Sequence, residues 1–277
     1  MPTLSFIGCG KLGRTLGHLF QRHAVFTIRQ VLTRSPASAA AAVHFIGAGQ
    51  PIADAAALQP ADVFVLAVPD QHLVAAAQWL SDADVLDERT TVFHCSGALS
   101  STLLAACAAQ GAHIASIHPL LSFADPQRMI EAFACQCAIE GDAGAVSMLS
   151  LAFSQIGAQV IPIPTEAKVR YHGAAVMASN YLVTLAEQML QSIESAGLTR
   201  DQGRALMLPL MRQTLDNLAV LEPKDALTGP VARGDWVLVN MQQRSLAEAS
   251  HALGDFYATL ANATAVLAGH PPPFKAA

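Results

Sequence analysis

Gly8-Cys9-Gly10-Lys11-Leu12-Gly13 follows a short apolar run, Leu4–Ile7, and opens an amphipathic stretch, Leu12–Arg22. A strand that passes through a tight glycine turn straight into a helix belongs to a parallel sheet, because the helix then serves as the crossover to the next strand. Each glycine has a separate task. Gly8 permits the turn, Gly10 lets the backbone approach a pyrophosphate, and Gly13 lets the helix pack against the sheet. The free N–H groups and the positive end of the helix favour anionic phosphates. Gly8, Cys9, Gly10, Lys11, Leu12 and Gly13 are therefore expected to hold a dinucleotide.

The rest of the first half keeps the same alternation. Strands are expected at Thr27–Leu32, Val63–Val68, Thr91–His94 and His113–Ile117. Helical patterns at Ala37–Val43, Gln71–Leu80 and Leu99–Gln110 lie between them. Two further strands, Ala134–Ile139 and Gln159–Pro162, flank a helix at Gly144–Gly157. From Thr165 the periodicity is helical only, with helices expected at Thr165–Ala196, Asp201–Leu221 and Ser245–Ala268. Thr165 reads as an N-cap and Gly197 as a stop. The pattern predicts an α/β Rossmann domain over 1–164, a mostly parallel sheet with helices on both faces, followed by an all-α C-terminal domain over 165–277. The Pro271-Pro272-Pro273 tail is expected to be extended and poorly ordered.

Composition excludes several classes. Of 277 residues 52% are apolar and 13% charged, which supplies a large core and argues against disorder. The net charge of −5, with no block of like charge, gives no basic groove for nucleic acid. No signal peptide and no membrane-spanning stretch is expected. The five cysteines are odd in number and fit no disulfide or zinc framework, so no metal is expected. Cys135 and Cys137, two apart in a strand, are expected on opposite faces. Free thiols point to a reducing cytoplasm.

Thr33-Arg34-Ser35 ends the second strand where an NAD site places an acidic residue for the ribose 2′-hydroxyl. With no acid there, Thr33 and Ser35 can hydrogen-bond and Arg34 can pair with a 2′-phosphate, which favours NADP, NAD being the other possibility. Ala67, Val68 and Pro69 end the next strand beside the middle of the cofactor. Asp70 is either a ligand or the cap of the following helix.

Four further segments carry a family resemblance: His94-Cys95-Ser96-Gly97-Ala98-Leu99-Ser100, Ser116 to Asp125 with its His118-Pro119, Tyr171-His172-Gly173-Ala174-Ala175 with Ala178-Ser179-Asn180-Tyr181, and Leu227 to Asp235. With the N-terminal glycines, these make the chain resemble the Rossmann-like and DUF2520 domain-containing proteins. That family stands in the superfamily of 6-phosphogluconate dehydrogenase and pyrroline-5-carboxylate reductase. The resemblance implies a helical domain that builds a homodimer and an active site in the cleft between the two domains. The hydroxyacid dehydrogenases of this superfamily keep a catalytic lysine four residues before an asparagine; aligned on Asn180, that position is Val176, and Lys168 lies two turns too early. His118-Pro119 resembles the His-Pro of prephenate dehydrogenases, whose histidine polarises a substrate hydroxyl. Histidine is the natural proton carrier near neutral pH. His118, His172, Ser96 and Asn180 are thus the catalytic candidates, with Ser96 also facing the cofactor and His94 a rival to His118. The expected activity is NADP-dependent hydride transfer to or from a small, carboxylated metabolite. The alternative is a non-catalytic NADP-binding redox sensor or scaffold.

Overall fold

The structure is a computed structural model that describes residues 1–121, 125–131 and 133–275. Ser122-Phe123-Ala124 of the His-Pro motif lies outside the described residues. No described helix is long and apolar enough to cross a membrane. The chain divides into two compact units, Met1–Val176 and Met177–Ala277.

The first unit is built on one eight-stranded sheet of described residues. Its strands are β1 (Thr3–Ile7), β2 (Thr27–Leu32), β3 (Gln50–Ile52), β4 (Val63–Leu66), β5 (Thr91–His94), β6 (His113–Pro119), β7 (Gln136–Gly141) and β8 (Gln159–Pro162). Their spatial order is β3-β2-β1-β4-β5-β6-β7-β8. Neighbours from β3 through β6 are parallel, β7 runs antiparallel to β6, and β8 is parallel to β7. The connecting helices are α1 (Lys11–Arg22), α2 (Pro36–Ile46), α3 (Leu73–Asp82), α4 (Ala105–Ala109), α5 (Pro126–Glu131) and α6 (Ala143–Gln155). This is the expected Rossmann-type α/β sheet. The chain reverses direction across the sheet between β1 and β4, and ligands of open parallel sheets bind beyond the strand ends at that point.

Alternation along each strand feeds two cores. Val63 and Val65 join Phe6, Phe20, Phe93 and Phe153 on one face, whereas Phe64 and Leu66 join Leu73, Leu80, Val92 and Leu104 on the other. On the first face Phe20 meets Phe26 and Phe153 edge to face, at centroid distances of 5.0 and 5.4 Å.

Several boundaries differ from the sequence reading. Strand β3 escapes it because three residues with a central proline show no alternation. Helix α5 is also unanticipated. Cys135 and Cys137 do not diverge: residues two apart on a strand share a face, and their Sγ atoms lie 3.8 Å apart. All five cysteines are free.

The last strand ends at Pro162, and helices follow. Thr165 does not cap one; its hydroxyl donates to the buried Glu140 carboxylate at 2.9 Å. The expected Thr165–Ala196 helix is interrupted. Helix α7 (Lys168–Val176) belongs to the first unit, a π-turn covers Met177–Tyr181, and α8 (Leu182–Ser195) belongs to the second.

The second unit is all helical among its described residues. Helix α9 (Arg200–Leu218) opens with a reciprocal capping box between Thr199 and Gln202. Short helices α10 (Pro223–Ala226) and α11 (Pro230–Arg233) lead to α12 (Trp236–Ala249) and α13 (His251–Ala268). The expected Ser245–Ala268 helix is thus two helices, because Ser250 adopts an extended backbone, φ −161°, and turns the chain. The proline tail is also anchored: Phe274 and the Asn262 amide exchange hydrogen bonds of 2.9 and 3.1 Å.

Candidate active site

The glycine turn shapes a groove beyond the ends of β1, β4 and β5. Gly8 has φ +78°, and a Cβ there would sit 2.6 Å from Val68 Cγ1 and 2.9 Å from the Ala67 carbonyl. Only glycine allows this approach of the β1 turn to the end of β4. At Gly13 a Cβ would come within 3.2 Å of the Ala67 side chain, so α1 also lies close against that strand end. Gly10 is different. Nothing lies within 4 Å of a Cβ placed on it, and no side chain caps the helix it precedes. The start of α1, a helix end that favours anions, is therefore not crowded at Gly10. The groove encloses about 260 Å³ and is lined by Gly10 to Gly13, Ala67 to Asp70, Cys95 and Ser96. Cys9 is buried behind the turn, and burial pushes its thiol up to about 12, so it offers only its backbone.

At the end of β2, Thr33 and Ser35 are already engaged. Ser35 Oγ accepts the Ser38 amide as the N-cap of α2, and Thr33 Oγ1 donates to Ser35 O at 3.0 Å and meets Ser38 Oγ. Ser38 completes this turn and was not foreseen. Arg34 stands exposed beside it.

The end of β5 is fixed by a chain of hydrogen bonds. Ser96 N donates to His94 Nδ1 at 3.1 Å, so Nε2 carries the His94 proton and donates to Ser100 O at 3.2 Å. His94 is fully buried, and burial, followed by the Lys168 charge, lowers it to about 4. It is a neutral support for the Ser96 turn. Ser96 Oγ donates to Asp70 Oδ2 at 2.8 Å and accepts Leu99 N at 3.0 Å. Asp70 is thereby a partner of Ser96 and caps no helix with its side chain.

Strand β6 and helix α7 bring the remaining groups together by their own periodicities. Ser116 and His118, two apart, share a face of β6; Lys168, Tyr171 and His172, spaced three and four apart, share a face of α7. Tyr171 Oη lies 2.9 Å from His118 Nδ1, and the His118 and His172 ring centroids are 5.8 Å apart. Lys168 Nζ donates to Ser96 O at 2.7 Å and to Ser116 Oγ at 2.5 Å. Gly97 lies under both imidazoles: a Cβ there would be 2.3 Å from His172 Cδ2 and 2.9 Å from His118 Cε1 and Nε2. Burial, then Lys168 and His172, lower His118 to about 4, while Asp70 acts in the opposite sense. Tyr171 is pushed up to about 12 by burial.

The first unit thus assembles Ser96, His118 and His172, three of the four catalytic candidates, with Tyr171, Lys168 and Gly97 added. Asn180 belongs to the second unit, is exposed, and sits in the π-turn. Lys168, set aside on sequence as too early in its helix, is the lysine buried at this site. The spacing of Lys168, Tyr171 and His172 was the signal available for it.

Residues 3–119 match the Rossmann-like domain, and residues 135–264 match the domain of unknown function DUF2520. The chain is a Rossmann-like and DUF2520 domain-containing protein. No curated protein matches this Rossmann-like and DUF2520 chain. Among solved structures it is similar to a Bacteroides fragilis protein described provisionally as an NADP oxidoreductase, at 23% identity and TM-score 0.77, covering 96% of this chain and 98% of that one. Protein TM1727 of Thermotoga maritima is similar at 27% identity and TM-score 0.74, with the same coverage. The reductive aminase of Aspergillus terreus, solved in complex with NADPH4, cyclohexanone and allyl amine, is similar at 17% identity and TM-score 0.69, covering 99% of this chain and 97% of that one. These likenesses show a shared fold.

Proposed function

We propose that the protein is an NADP-dependent oxidoreductase that moves hydride between the nicotinamide and a small, carboxylated metabolite. One observation carries the reading. An uncharged histidine, His118, presents its unbonded Nε2 at Gly97, the residue that follows the groove-lining Ser96. A proton carrier thus sits at the edge of a groove whose glycine turn suits a pyrophosphate.

Gly8, Cys9, Gly10, Lys11, Leu12 and Gly13 would hold the pyrophosphate through the turn and the start of α1, and Arg34 would meet the 2′-phosphate, with Thr33 and Ser35 shaping its turn. Ala67, Val68 and Pro69 would line the middle of the cofactor. When bound, the nicotinamide supplies or takes the hydride. Ser96 Oγ has one lone pair left after bonding Asp70 and Leu99, enough to accept a hydrogen bond from the carboxamide. In the oxidising direction the neutral His118 Nε2 would accept the substrate proton and become an imidazolium; in the reducing direction that imidazolium would polarise the carbonyl or imine and return the proton to it. The Tyr171 hydroxyl can donate to or accept from Nδ1, so it serves either tautomer. His172 borders the same position. The structural relatives described with NADP or NADPH4 support this cofactor.

The second unit supports a homodimer. Val183, Leu210, Val237 and Met241 are 58–76% exposed, and the same unit holds an apolar cavity of about 580 Å³ lined by Met177, Tyr181, Leu215 and Phe256. A dimer mass in solution is expected. Its five free thiols suit the cytoplasm.

The test is NADPH and NADH binding, followed by cofactor oxidation with panels of keto acids, imines and cyclic imines. Tighter binding of NADPH and turnover with one panel, abolished in His118→Ala, are expected. Tight NADPH binding with no turnover in any panel would favour the sensor instead.

A further inference from the structure

Lys168 is 1% exposed, yet no carboxylate lies within ion-pair distance of it among the described residues; its two partners are a carbonyl and a hydroxyl. An ammonium buried without a counter-ion is costly, and a methionine would fill the same space at no such cost. Its placement is specific. Ser96 O belongs to the turn after β5 that lines the groove, and Ser116 stands two residues before His118 on β6. On α7, Tyr171 and His172 follow on the same face and meet His118 directly.

We propose that Lys168 is a positioning residue: its Nζ ties the β5 turn to β6 beneath His118 and sets its ammonium on the strand face that carries that histidine. This rests on the reading of His118 as the proton carrier. The clamp fixes Ser96 and His118 relative to each other, because one Nζ bonds the backbone of the first and the strand neighbour of the second. The charge acts on the same histidine. The groups facing His118 are Lys168, Tyr171 and His172 from α7 and Asp70 from the turn after β4; Lys168 and His172 oppose its protonation and only Asp70 favours it. Lys168 is itself faced by Glu140 on β7, Cys95 after β5 and Asp70, which favour its charged form against burial. A resting His118 kept neutral has a free Nε2 to accept a proton, and the same charges favour the release of that proton afterwards.

The test is a pH titration of the histidine ring nitrogens by NMR in the full-length protein, without cofactor or substrate, with His118→Asn to assign the signal. Wild-type His118 is expected to stay neutral down to about pH 4. In Lys168→Gln, which keeps a donor for Ser96 O but has no charge, its midpoint should rise by about one pH unit, a roughly tenfold gain in proton affinity. Lys168→Arg should leave it near the wild-type value. An unchanged midpoint in a folded Lys168→Gln protein overturns the proposal. So does a wild-type midpoint near 6.5, which needs no variant. Neither result depends on hydride transfer, so a failed turnover screen and a failed titration are distinct outcomes.

Discussion

Gly97→Ala adds one methyl at the most crowded point of the site. Its carbon would lie 2.3 Å from His172 Cδ2 and 2.9 Å from two atoms of the His118 ring. Ordinary carbon contact begins near 3.5 Å, so the His172 ring must retreat by about 1 Å and His118 by about half as much. His118 cannot move freely, since Tyr171 holds Nδ1 at 2.9 Å and the β6 backbone fixes its Cα. Overpacking of this kind costs about 1–3 kcal/mol. In a unit of this size each kcal/mol lowers Tm by about 2–4 °C, so a fall of about 2–12 °C is expected in a thermal melt. The effect on turnover should be larger in proportion, since a displacement of about 1 Å in a reacting group can cost about 100-fold in rate. NADPH affinity should change little, because the turn at Gly8 to Gly13 is untouched. Gly173→Ala is the matched comparison: nothing lies within 4 Å of its Cβ, it sits inside α7, and it should gain about 0.4–1 kcal/mol. A Gly97→Ala protein with wild-type Tm and full turnover would refute the packing of the two imidazoles on Gly97.

Three other perturbations address separate parts of the molecule. Arg34→Ala should weaken NADPH binding roughly tenfold, about the 1.4 kcal/mol of one exposed charged hydrogen bond, and leave NADH nearly unchanged; fluorescence titration of both cofactors measures it. Glu140 accepts Ser101 N, Ser101 Oγ and Thr165 Oγ1, so Glu140→Leu strands a buried N–H and should cost roughly 2–3 kcal/mol in denaturant unfolding, with Glu140→Gln costing less. The His94 and His118 imidazoles fall from an unfolded value near 6.5 to about 4 on folding, so the unfolded state binds more protons between these limits. Stability should be fully present above about pH 6.5 and decline as pH falls toward 4, by about 3 kcal/mol per histidine, and His118→Asn should remove its share of that slope.

The glycine turn and the strands were legible because each is a local property. A strand followed by Gly8-Cys9-Gly10 has few ways to continue, and Thr27–Leu32, Thr91–His94 and Gln159–Pro162 are bounded by residues that end strands. Missing acid at Thr33-Arg34-Ser35 could also be read without a structure. Short elements such as β3 carry too few residues for a period, and the π-turn at Met177–Tyr181 breaks a helix that composition alone would continue. His118 and Ser96 could be named from their motifs, but their setting could not. Tyr171 reaches His118 across 53 positions of sequence, and Lys168 reaches Ser96 across 72. Sequence determines which faces of β6 and α7 carry polar groups, since periods of two and 3.6 are built into the backbone. Only tertiary packing decides that those two faces meet, that Gly97 is the space between the imidazoles, and that a buried lysine charge stands beneath the histidine. Burial and charge proximity, which set the protonation of His118, are properties of the folded arrangement and of no single segment.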